Sequence, residues 1–125
     1  QKLNLNERII FDFNYAKTQK SCKVFCAADV IAQTYISATQ SGVTPLAYHF
    51  KTPLLVSDLA GLRTPILEDQ TGMITEINAE KIAENLIQIL SDEKLSEFQP
   101  SFQKVGDKYS WKSFGLSLMN FMGQL

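Results

Sequence analysis

Residues 29–58 read DVIAQTYISATQSGVTPLAYHFKTPLLVSD, and the order of patterns in this stretch decides the fold class. DVIAQTY (residues 29–35) is rich in β-branched and apolar residues and predicts a short strand, buried by its composition. SGVTPLAYHF then predicts a helix. Pro45 is compatible with it because it falls in the first turn, where a missing N–H removes no helical bond. TPLLVSD, almost wholly aliphatic after Pro53, predicts the next strand. Continuous apolar strands are covered on both faces, which is the habit of parallel sheets.

The same alternation extends outward. Upstream, RIIFDF (Arg8 to Phe13) predicts a first short strand. TQKSCKVFCAA, with Cys22, Phe25 and Cys26 on one face, predicts a helix. Downstream, LAGLRTPIL predicts a turn with at most one helical turn, and TGMITEI a weaker strand. Asn78 is placed to cap a helix over AEKIAENLIQILSD, with Ile82, Leu86, Ile89 and Leu90 on one face. EKLSEFQPSFQKVGDKY predicts a helix in two pieces, broken near Pro100. SWKSFGLSLMNFM predicts a closing amphipathic helix capped by Ser110. Its stripe of Trp111, Phe114, Leu118 and Phe121 or Met122 is expected to pack on the sheet as core. Together these elements predict an α/β fold: a Rossmann-like parallel sheet of about four strands with helices on both faces. Without a linker, a repeat or a low-complexity stretch, residues 1–125 are expected to form a single domain.

The totals agree with a globular chain. Of the 125 residues, 45% are hydrophobic and 20% charged, and the net charge is −1. That balance argues against disorder, and it offers no basic field to nucleic acid. No apolar run reaches the length of a bilayer span, and a cytoplasmic location is expected. Cys22 and Cys26 read as small buried hydrophobes in a reducing compartment, not as a metal or redox pair.

In such sheets ligands bind beyond the carboxyl ends of the strands. Three loops qualify: ISATQSGV, LAGLR and LEDQTG. The first runs directly into a helix, whose start offers free N–H groups and the positive end of the macrodipole. Gly42 admits a ligand close to the backbone, and Ser41 and Thr44 add hydroxyls. The pattern suits a phosphate, although the same residues also serve as ordinary helix caps. Other polar residues read as structural. Asp29 sits at the start of a strand, and His49 on a helix surface or in packing. Glu68 and Asp69 fall on a solvated turn.

The run AADVIAQTYISATQSGVTPLAYHFKTPLLVSDLAGLRTPILEDQTGMI, with the closing YSW helix, resembles the C-terminal donor-binding domain of GT-B glycosyltransferases of family 4 (glycosyl transferases group 1). The likeness covers roughly Phe25 to Leu90. It implies a two-domain enzyme that moves a sugar from a nucleotide-sugar to an acceptor, which can be membrane-associated in the full-length enzyme. The N-terminal acceptor domain would lie outside this chain, and the piece alone would have no turnover, because the reacting groups must be held between two domains. By position, the amides of Ser41, Gly42 and Val43 would face the diphosphate, and Thr39 and Gln40 the sugar side. Gly61 matches the second glycine of the family's Gly-Gly turn, with Ala60 in place of the first. The family's two glutamates fall at Ala38 and Leu46, and the acidic residue after the glycine turn at Thr64, so all three carboxylates are replaced. Thr39, Gln40 or Thr44 would then supply neutral hydrogen bonds to the ribose. No metal and no cofactor are implied. The competing readings are a non-catalytic flavodoxin-like or receiver-like module and a protein-interaction domain without a ligand site.

Overall fold

Leu54–Ser57 supplies the centre of the fold, with all four residues buried. A strand covered on both faces needs neighbours on both edges and layers above and below. The computed structural model, which describes residue 5, residues 8–14 and residues 18–124, supplies them. The elements are α1 (Thr18–Ala27), β1 (Ile31–Gln33), α2 (Val43–Phe50), β2 (Leu54–Ser57), α3 (Ala60–Asp69), β3 (Gly72–Thr75), α4 (Ala79–Ile89), α5 (Asp92–Lys108) and α6 (Trp111–Gly123). Both neighbours of β2 run parallel to it, in the order β1-β2-β3. Gln33 lies opposite Val56, and Ser57 opposite Thr75.

The α/β class and the parallel pairing are as expected, with three strands among the described residues instead of four. The missing one is Arg8 to Phe13, which forms no strand and leaves Ile10, Phe11 and Phe13 exposed. Its composition suits a strand, but no described strand pairs with it. β1 is also less buried than its composition suggests. Gln33 is enclosed while Ala32 is exposed, as on an edge strand.

Local chemistry sets most helix ends. α2 and α3 both stop on a left-handed non-glycine residue, Lys51 (φ 57°) and Gln70 (φ 52°). The Thr52 amide reaches back to the Ala47 carbonyl at 2.9 Å, so the chain turns at once into β2. Asn78 caps α4, its Oδ1 accepting from the Glu80 and Lys81 amides at 2.9 and 3.2 Å. Ser110 caps α6 through the Ser113 amide. On α4, Ile89 is buried and Ile82 and Leu86 partly so, while Leu90 is exposed.

Two expectations about helix breaks are corrected. LAGLRTPIL gives no short turn but enters α3, a helix of 10 residues. α5 runs unbroken through Pro100. Pro100 and Ser96 are both exposed, so water can reach the Ser96 carbonyl that loses its helical donor.

The core gathers Ala47 and Tyr48 of α2, β2, Leu62 and Ile66 of α3, and Ile89 of α4. Phe98, Phe102 and Val105 of α5 close it, with the Phe102 ring edge-on to Tyr48 at 6.3 Å. Phe25 of α1 stacks on Phe50 of α2 at 5.4 Å. α6 adds nothing to this core. Its stripe was expected to be packed, yet Trp111 is 88% exposed, and Phe114, Leu118, Phe121 and Met122 are exposed with it. Cys22 and Cys26 are likewise exposed free thiols, not buried ones.

Candidate functional site

Each strand ends in a buried polar residue: Gln33, Ser57 and Thr75. Parallel strands bring these three ends to one edge of the sheet. The chain leaves that edge after β1, forms the loop of residues 34–42, and enters α2. The turn into α2 is closed by Ser41, whose Oγ accepts from the Val43 amide at 3.2 Å. The Ser41 carbonyl accepts from the Thr44 amide at 3.4 Å. Of the three amides expected to face an anion, Val43's is therefore engaged. Those of Ser41 and Gly42 have no acceptor among the described residues.

The two glycines of the predicted site do different work. Gly42 has φ −67°, an ordinary right-handed value, and a Cβ there would meet nothing within 4 Å. The fold does not require glycine at 42; the backbone is simply open. A Cβ on Gly61 would lie 1.5 Å from the Thr39 carbonyl oxygen. Gly61 is thus the contact point at which the start of α3 touches the loop.

The loop separates two cavities. One, the loop cavity of about 900 Å³, is bordered by residues 37–43 with Phe25, Tyr35 and Leu46. The other, a groove of about 730 Å³, lies between Thr44, Pro45 and Tyr48 of α2 and Gly61, Thr64 and Pro65 of α3, with Tyr109 beyond them. Thr39, Gln40 and Ser41 border both. Gly42 and Val43 border the loop cavity, while Thr44 and Gly61 border the groove. All seven predicted residues are therefore gathered around one loop, but on two sides of it. Ala38 and Leu46 border the loop cavity and Thr64 the groove. No charged side chain borders either cavity among the described residues.

Sequence reasoning missed Tyr48, Pro65 and Tyr109. Tyr48 follows Thr44 by one helical turn and could have been placed on the same face. Tyr109 arrives only through the path of α5, which no local pattern reveals. Its hydroxyl donates to Asp69 Oδ2 at 2.9 Å, and Lys108 Nζ donates to Asp69 Oδ1 at 2.6 Å. The Asp69 side chain is 5% exposed, so it is an anchor for the end of α5, not part of a solvated turn. Both it and Glu68 belong to the last turn of α3. Burial, chiefly, pushes the Tyr48 and Tyr109 phenols up, and the hydrogen bond to Asp69 pushes the Lys108 ammonium up. Tyr48 Oη donates to the Pro65 carbonyl at 3.2 Å, tying α2 to α3 across the floor of the groove.

His49 is exposed on α2 with its ring edge-on to Phe50, and Asp29 is exposed just before β1. Among the described residues no group of three or more His, Cys, Asp or Glu side chains is placed to hold a metal ion. No described helix is long and apolar enough to cross a membrane. Comparison of the chain with protein-family models gave no match, and comparison with curated proteins gave none either.

Proposed function

We propose that the loop cavity receives the diphosphate of a nucleotide-sugar, and that the chain is the donor-binding part of a GT-B glycosyltransferase. A second domain would present the acceptor. One observation carries this reading: the Ser41 and Gly42 amides stand open at the start of α2, beside a cavity at the carboxyl edge of parallel strands. A helix start carries about half a positive charge. As the sugar leaves, negative charge grows on the diphosphate, and pre-aimed amides stabilise it without reorganising. With Ala38 and Leu46 in place of carboxylates, the ribose hydroxyls would meet Thr39 and Gln40. Thr44, the third neutral substitute, borders the groove instead.

Gly42→Pro tests the reading. The φ of −67° suits proline, so the substitution removes one amide donor at a backbone angle that proline adopts, and the amide spectrum of the variant checks that the fold is kept. A hydrogen bond to a charged group is worth about 1.5–3 kcal/mol, so affinity for the cognate nucleoside diphosphate should fall tenfold or more in calorimetry. Silence of the unmodified chain towards UDP, GDP and ADP would sink the proposal. The second reading, a protein-interaction module, is favoured by the exposed apolar stripe of α6.

A further inference from the structure

The groove between α2 and α3 has its own hydrogen-bonding polarity, which follows from how each hydroxyl is already used. Ser41 Oγ accepts from the Val43 amide, and Thr44 Oγ1 accepts from Gln33 Nε2 at 3.2 Å. Both hydroxyls therefore keep a proton to donate. Further along, the situation reverses. Thr64 Oγ1 donates to the Ala60 carbonyl at 2.8 Å, Tyr48 Oη to the Pro65 carbonyl, and Tyr109 Oη to the Asp69 carboxylate. Carbonyls and carboxylates only accept, so these three oxygens have spent their protons and can offer only lone pairs. The groove thus presents donors at the loop end and acceptors at the Tyr109 end, with no charged side chain between them. Tyr109 adds a half-exposed ring beside the prolines.

We infer that this groove binds a neutral sugar ring or short neutral oligosaccharide. Every sugar hydroxyl both donates and accepts, so one molecule satisfies both ends, and its C–H face covers the Tyr109 ring. An anion would meet three acceptor oxygens, and the nearest ammonium, that of Lys108 behind the Tyr109 ring, is already held by Asp69 at 2.6 Å. A hydrocarbon would leave the remaining protons of Ser41 and Thr44 without an acceptor, at about 1–3 kcal/mol for each one buried, and the spare lone pairs of the other three unused. The cavity volume lies within the ~300–1,000 Å³ common to small-molecule sites. The inference does not rest on the donor reading, because the ligand is uncharged and the cavity lies on the opposite side of the loop.

The test is an amide-shift titration of the ¹⁵N-labelled chain with cellotriose, maltotriose and triacetylchitotriose, with glucose 6-phosphate as the charged probe. At least one neutral trisaccharide should move the Thr44, Gly61, Thr64 and Tyr109 amides, with Kd on the order of 1 mM. Tyr109→Ala should weaken that binding about tenfold, and Thr64→Val, on an exposed position, about threefold. Because Tyr109 also holds Asp69, Thr64→Val decides the matter if Tyr109→Ala unfolds. The inference is overturned by no shift with any neutral probe up to about 20 mM, by shifts confined to residues outside the groove, by stronger binding of glucose 6-phosphate, or by a Thr64→Val chain that binds like its parent. Trisaccharide binding with no response to nucleoside diphosphates would sustain this site and remove only the donor reading.

Discussion

Gly61→Ala is the sharpest probe of how the site is held. The new methyl carbon would lie 1.5 Å from the Thr39 carbonyl oxygen, 2.5 Å from its carbon and 3.3 Å from Thr39 Cα. Ordinary contact would require the loop and the start of α3 to separate by about 1.5–2 Å. Two effects oppose each other. Alanine in a helix is favoured over glycine by about 0.8–1 kcal/mol, while overpacking of this kind costs about 1–3 kcal/mol or more, because backbone and not a flexible side chain must yield. The clash wins by roughly 1–2 kcal/mol, a fall in Tm of about 4–8 °C. Two controls isolate the cause. Gly42→Ala meets nothing within 4 Å and should stay within about 0.5 kcal/mol of the parent. Gly72→Ala would press on the Leu54 carbonyl at 1.9 Å and should destabilise comparably. It does so at the far end of β2, so the amide shifts of residues 39–42 should stay put. Urea unfolding and amide spectra of the three variants make the comparison. A Gly61→Ala chain as stable as its parent, with loop shifts unmoved, would refute the claim that Gly61 holds the loop by close contact.

Asn78→Ala removes an acceptor of two α4 amides and should cost about 1 kcal/mol in urea unfolding. Ser57→Ala deletes a fully buried hydroxyl that finds no partner among the described residues; stability should be unchanged or rise by up to about 1 kcal/mol, and a clear loss would mean that Ser57 is paired. Stability should fall as pH rises above about 10, where a phenol in the unfolded chain loses its proton while the folded Tyr48, raised by burial, keeps it. The unfolded state then binds fewer protons, so the slope of stability against pH is negative. Tyr48→Phe should flatten that slope in alkaline unfolding, leaving the smaller share from Tyr109 and Lys108, which are shifted in the same direction.

What was legible in the sequence was what is decided locally. β2 announces itself because a strand covered on both faces has no polar position to show. Asn78 and Ser110 announce their helices because a cap acts within one turn. The elements that misled are those whose meaning is tertiary. Gly61 and Pro65 read as the marks of a turn, yet Gly61 is there for a contact with Thr39, and Pro65 lends its carbonyl to Tyr48. Asp69 reads as a solvated acid because its partners, Lys108 and Tyr109, are some 40 residues further along. The period of α6 identifies an apolar face but not what covers it, and in this chain nothing described does. Ser41 to Thr44 were legible as a polar loop entering a helix. The division of the site into two cavities was not, since it depends on where α3 meets the loop.

That division has a physical cost built into it. Gln33 and Ser57 end adjacent strands beneath the loop, each almost wholly enclosed, and Gln33 Oε1 and Ser57 Oγ have no protein partner among the described residues. A buried polar atom without a partner costs about 1–3 kcal/mol, a real fraction of the 5–15 kcal/mol that holds a typical domain together. A chain selected for stability alone would end these strands in valine. Gln33 instead spends its Nε2 on Thr44 Oγ1, which fixes the direction in which that hydroxyl can donate. Gln33 therefore acts as a support: it trades stability for the orientation of the Thr44 hydroxyl, while Gly61 holds the loop against the start of α3. The bordering groups are neutral on both sides of that loop. On the two proposed assignments, selectivity between an anion and an uncharged ring would come from geometry alone, from amides at the head of α2 on one side and from spent hydroxyls between α2 and α3 on the other.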